Sequence, residues 1–147
     1  ARELSSTLTM VDFSRVVTRT VDVARNEVHL DVNTAKLRNV VVVEANARMG
    51  QERNEAAAEL LLAAKHLFPG DFVVEYNLAC AYALSGRVAD ALVQLNASIE
   101  HGYRNEEKIL SDADLVSLRG EPRYKEIIAR HFPVLATPPV APPPAVD

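Results

Sequence analysis

The stretch that most constrains this chain runs from Asp71 to Gly102, DFVVEYNLACAYALSGRVADALVQLNASIEHG. Val74, Leu78, Ala79 and Tyr82 recur at helical spacing, and Val88, Ala91, Leu92, Leu95 and Ile99 do so again further on. Asp71 is placed to cap the first of these helices, Gly86 to turn the chain out of it, and Gly102 to end the second. Ala79 and Ala91 are small where two antiparallel helices must approach closely, and Tyr82 is large enough to fill the space beside them. The stretch therefore reads as an antiparallel helix hairpin.

Leu78-Ala79, Tyr82, Gly86, Ala91, Leu95 and Ser98 together resemble the tetratricopeptide repeat, whose period is about 34 residues. One such period earlier, Ala79 maps to Ala45, Ala91 to Ala57, Leu95 to Leu61 and Ser98 to Ala64, and Pro69 takes the family's usual end-of-repeat place. That earlier copy is degenerate, with Arg48 in place of the tyrosine and Glu44 in place of the leucine. One period later, Ile109, Ala113 and Val116 fit a first helix, but Lys125 stands where alanine is usual. Asp112-Ala113-Asp114-Leu115, Leu118-Arg119 and Pro122-Arg123-Tyr124 resemble the segment that closes many bacterial arrays of this family. A terminal unit lacks a neighbour on one side and needs a face that tolerates water. The resemblance covers roughly residues 36 to 131 and implies an all-α, right-handed solenoid of antiparallel helix hairpins: about two repeats, an N-terminal cover and C-terminal capping helices.

Three regions follow: residues 1–35, a repeat domain over 36–135, and a tail over 136–147. Residues 1–35 are expected to be helical from Asp12, with Val16, Val17, Val21, Ala24 and Val28 on a face that covers the first repeat. A β-hairpin is the rival, because residues 20–23 and 28–32 alternate and Arg25-Asn26-Glu27 can turn. Helix is preferred because an isolated hairpin is marginally stable and the rest of the chain offers it no sheet. Thr34 and Gly50 are expected to bound the next helix, and Val40 to Val43 to be buried on both sides. Residues 53–67 have the strongest helix propensity, and Phe68-Pro69-Gly70 breaks that helix. Asn105 and Asp112 are candidate caps, and Pro122 suits a first helical turn. The tail from Ala136 is rich in proline and is read as extended or disordered, a linker rather than a ligand for a proline-binding module.

The 147 residues suit one domain with a real core, and a net charge of −4 gives no basic footprint for nucleic acid or an anionic membrane. No apolar run reaches the roughly 18 residues of a membrane span, no signal peptide is visible, and a cytoplasmic protein is expected. The chain opens on Ala1 rather than Met, which suits a processed form or a piece of something longer. His29, His66, His101 and His131 are far apart and share no metal-ligand spacing; the last three fall near helix C-termini, where an imidazole complements the dipole. Cys80 is expected to be an inert residue of a packed helix, and Asp112 and Asp114 to serve capping rather than acid–base chemistry. There is no phosphate-binding glycine loop and no nucleophile elbow. Neither a cofactor nor a metal is called for, and the chain does not read as an enzyme.

In the family it resembles, the first helix of each repeat lines a concave groove that takes a peptide or a partner helix. The positions that would face it are Val42, Asn46 and Met49, then Val73, Tyr76, Cys80 and Leu84, a mostly apolar lining with Asn46 and Tyr76 as hydrogen-bonding groups. One subtype of the family grips the carboxylate tails of heat-shock chaperones with lysines and asparagines. Val42 and Cys80 stand where that clamp needs Lys and Asn, and only Asn46 matches. The resemblance thus implies a non-catalytic scaffold or adaptor, co-chaperone-like in class, whose partner is another protein. The alternative is a regulatory or assembly domain of a larger enzyme or secretion complex, self-associating as a homo-oligomer or docking in cis.

Overall fold

Side-chain caps set the helix boundaries in the computed structural model, which describes residues 17–22 and 27–133, with side chains from residue 33 onward. Helix α1 (Thr34–Gly50) is capped by Asn33, whose side chain accepts from the Lys36 N–H at 2.9 Å. The expected cap, Thr34, is already helical, because Asn33 is one residue closer to extended backbone and is the better capping side chain. Helix α2 spans Asn54–Leu67. Helix α3 (Phe72–Leu84) is capped by Asp71, which accepts from the N–H groups of Val73 and Val74 at 3.0 and 3.2 Å. Helix α4 (Val88–Glu100) follows the turn at Gly86, which adopts φ 76°. Helix α5 (Glu106–Ser111) is capped by Asn105 and carries Glu106 and Glu107 in its first turn. A 3-10 helix (Ala113–Leu118) is capped by Asp112, and α6 (Pro122–His131) opens on its proline.

The packed body formed by these seven segments is helical throughout, with neighbour packed on neighbour. Helix α3 is its centre and contacts α1, α2, α4 and the 3-10 helix, while α6 packs on α4. The stripes read from the sequence are the core: Val74, Leu78, Ala79, Ala91, Leu95 and Ile99 are all sealed from solvent, and Tyr82 lies beside them under the Arg87 guanidinium, 4.3 Å from the ring centroid. Helix α1 departs from expectation. Among the described residues its main partners are α2 and α3, and the Val40–Val43 run is buried on one side: Val41 is in the core and Val43 is 68% exposed.

The second helices of the successive pairs start in step. The residues that precede α2, α4 and α6 are Arg53, Arg87 and Glu121, each 34 positions after the last. The bonds at the first two repeat as well: Arg53 N–H donates to the Arg48 carbonyl at 2.9 Å, and Arg87 N–H to the Tyr82 carbonyl at 2.8 Å, whereas Glu121 N–H donates to the Leu118 carbonyl at 3.0 Å. The first helices of the second and third pairs are also in step, with Asp71 and Asn105 as their caps. In the third pair the first helix is interrupted at Asp112, which divides it into α5 and the 3-10 helix.

The segment expected to be helical before α1 forms instead, over its described residues, an antiparallel hairpin of β1 (Val17–Asp22) and β2 (Glu27–Val32), in a register that pairs Val17 with Val32 and Val21 with Val28. The period-two alternation and the β-branched residues, stiff at χ1, prevail over the weak helical stripe. Residues 1–16 and 23–26, and with them the start expected at Asp12, lie outside the described residues, as does the proline-rich stretch 136–147.

Candidate functional site

Helical spacing brings three short sets of side chains to one cleft. Helix α1 supplies Asn46, Met49 and Gly50; α3 supplies Tyr76, Asn77, Cys80 and Leu84; and α5 with the start of the 3-10 helix supplies Lys108, Asp112 and Asp114. The cleft encloses about 460 Å³, within the usual range for ligand sites. Five of the seven expected groove residues, Asn46, Met49, Tyr76, Cys80 and Leu84, meet there. Val42 does not; it is half-buried against the core. Nor does Val73, whose side chain is half-buried and whose carbonyl accepts from the Asn77 side chain at 2.8 Å.

The lining is more polar than expected. Six of the ten lining residues are polar or charged, and three of these, Lys108, Asp112 and Asp114, come from the third helix pair, from which no groove residue was expected. The missed residues are Asn77, Lys108, Asp112 and Asp114, with the small Gly50. Asp112 is the hub. Its Oδ2 accepts from the Tyr76 hydroxyl at 2.8 Å and lies 3.0 Å from the Lys108 ammonium; its Oδ1 accepts from the Asp114 N–H at 3.1 Å; and its carbonyl accepts from the Arg119 guanidinium at 2.6 Å. The Tyr76 ring in turn stacks on Tyr103, with centroids 4.1 Å apart, and Phe72 meets Tyr103 edge-on. Asp112 thus does cap the 3-10 helix as expected, and it also ties α3 to α5.

The electrostatics of the two aspartates differ. Burial pushes the Asp112 carboxyl up, but the hydrogen bonds from Tyr76, Lys108 and the Asp114 backbone outweigh it and hold the group below the ordinary carboxylate value. Asp114 is raised, by burial first and by the charge of Asp112 second, with Lys108 only partly offsetting them. Burial also drives the Tyr76 hydroxyl upward, helped by Cys80 and Asp112. The Cys80 thiol is pushed up by burial and by the fields of both aspartates, so it stays protonated and is a poor nucleophile.

Cys80, Asp112 and Asp114 bring a thiol and two carboxylates within 4.8 Å of one another. A divalent ion there would have to displace Lys108 from Asp112 and deprotonate a thiol whose surroundings favour the neutral form. Elsewhere, His66 lies in the last turn of α2; His101 follows α4 and bonds through Nδ1 to Glu75 at 2.7 Å; and His131 ends α6 with Nε2 3.3 Å from the Asn96 side chain. The side chain of His29 is outside the described residues. Among the described residues, no helix is long and apolar enough to cross a membrane. Compared with known proteins, the chain matches no family model, no curated sequence and no solved structure.

Proposed function

We propose that this chain is a non-catalytic protein-interaction module of the tetratricopeptide type, and that the cleft between α1, α3 and α5 docks a segment of a partner protein. The observation that carries the reading is the convergence of Asn46, Met49, Tyr76, Cys80 and Leu84, chosen from the repeat pattern alone, on one cleft of peptide-binding size. The 34-residue step of Arg53, Arg87 and Glu121 supports the repeat. The neutral thiol and the cross-tied Asp112 support a binding role over a catalytic one, since neither is poised as a nucleophile or base. A cytoplasmic setting goes with this reading.

The test is a phage-displayed library of random short peptides panned against the full chain, with Asn46→Trp, which fills the mouth of the cleft, as the blocked control. Peptides enriched on the unaltered chain and lost on Asn46→Trp are the expected result. Equal recovery from both proteins would remove the reading.

Self-association is a second reading with one observation in its favour. Ala89, Leu92, Val93, Asn96 and Arg123 line another groove, between α4 and α6, and Val93 is 64% exposed there. Sedimentation equilibrium decides it: a mass above the 16.1 kDa of one chain that rises with concentration would favour pairing, and a constant 16.1 kDa would exclude it.

A further inference from the structure

We infer that the cleft recognises a basic side chain, lysine or arginine, projecting from the partner segment, with Asp114 as its counter-charge. The inference deepens the interaction-module reading and rests on it.

Two independent features of the cleft point the same way. The first is charge. Lys108 and Tyr76 satisfy one oxygen of Asp112 and the Asp114 N–H satisfies the other, so Asp112 is answered from within the protein. The Asp114 carboxylate, half-buried in the same cleft, has no hydrogen bond or ion pair among the described residues. One unit of negative charge is left uncompensated in a partly dry site, next to a second carboxylate. Such a group gains more from an incoming cation than a solvated surface aspartate does. The second feature is shape and polarity. Met49, Cys80 and the partly exposed Leu84 supply apolar lining to the cleft that holds Asp114. A lysine or arginine has an apolar stem and a charged head, so the stem can lie against apolar lining while the head meets Asp114. A carboxylate-bearing ligand meets the reverse arrangement, since Lys108, the only cation in the lining, is already engaged by Asp112. A wholly apolar ligand would bury Asp114 with no partner at all.

The panning experiment above is extended so that the two readings fail separately. Enriched peptides are synthesised in three forms, with the basic residue retained, replaced by norleucine or replaced by glutamate, and their binding to the full chain is followed by fluorescence anisotropy. The basic form is expected to bind about tenfold more tightly than the norleucine form, in line with a charge-assisted hydrogen bond in a partly buried site. That advantage should shrink with added salt, and Asp114→Asn should abolish it, with the basic form losing affinity and the norleucine form, no longer burying an unpaired carboxylate, losing none. Peptides that are lost on Asn46→Trp yet carry no basic residue, or a basic preference that survives in Asp114→Asn, would overturn the inference and leave the module reading standing. Equal recovery on the unaltered and blocked proteins would overturn both.

Discussion

Asp112 and Asp114 stand two residues apart and titrate in opposite directions, and the difference is testable by pH. The Asp112 carboxyl sits below the ordinary value of 3.8 in the folded protein. Its contribution to stability is therefore complete above that value and is lost as pH falls through the lower, folded value. Asp112→Asn should lower the urea midpoint at neutral pH, and the deficit should close only in that acid range. Asp114 is raised above 3.8, so its ionised form costs the folded state stability at neutral pH. Asp114→Asn should raise the midpoint at neutral pH, and the gain should fade as pH falls through the raised value. Two profiles of the same sign would show that the division between these carboxylates is wrong. Tyr76→Phe isolates the link to α3: the hydroxyl that donates to Asp112 at 2.8 Å is removed with little change in packing, at an expected cost of about 2 kcal/mol. The capping role of Asp112 was legible in the sequence, because a cap and its N–H lie two residues apart. The bond to Tyr76 was not, since it spans 36 residues and depends on how the third helix pair packs on the second.

At the scale of the element, two turns 34 residues apart take the same backbone shape with different residues. Gly86 has φ 76° in the turn between α3 and α4, and 34 positions earlier Glu52 has φ 60° in the turn between α1 and α2. The backbone requirement is the same in both, but only one turn carries the residue that meets it without strain. Glu52→Gly should therefore stabilise the protein by about 1 kcal/mol, and Gly86→Ala should destabilise it by at least as much; thermal unfolding of the two variants measures both. No change in either would mean that the turns do not impose this conformation in solution. The sequence pointed to Gly50 as the stop of α1, because glycine is the usual signal there, and so missed that Glu52 takes the left-handed position. It did identify Arg48 as the stand-in for Tyr82. The structure shows how an arginine can fill that place: the guanidinium is buried, bonded to Glu44 at 2.9 Å and to the Ala56 carbonyl at 3.4 Å. The hairpin before α1 was legible as a rival only. Its alternation and β-branched residues favoured it locally, and the expectation of helix rested instead on the marginal stability of a hairpin with no sheet to join.

For the whole molecule, the proposed reading as a row of helix pairs, each packed mainly on its neighbours, predicts that it does not melt as a single block. The centre has contacts on both sides: α3 touches α1, α2, α4 and the 3-10 helix, and its Glu75, 1% exposed, is held by His101 at 2.7 Å and faces Lys65 at 3.9 Å. Among the described residues the first pair has less support, since the main partners of α1 are α2 and α3 and Val43 is left in solvent. Lesions at the two places should therefore have different reach. Leu78→Ala, in the sealed centre of α3, should cost about 3 kcal/mol, a large part of the roughly 5–15 kcal/mol that holds a domain together. Amide exchange should then accelerate from α1 through α6 together. Val41→Ala, in the core face of α1, should cost about 2 kcal/mol and act locally, speeding exchange in α1 and α2 while the amides of α3 and α4 keep their protection. Native-state hydrogen exchange on the two variants reads this directly. If Val41→Ala accelerated α3 and α4 as much as α1, the molecule would be one cooperative unit. The step of 34 residues in its caps would then describe its geometry without governing its stability.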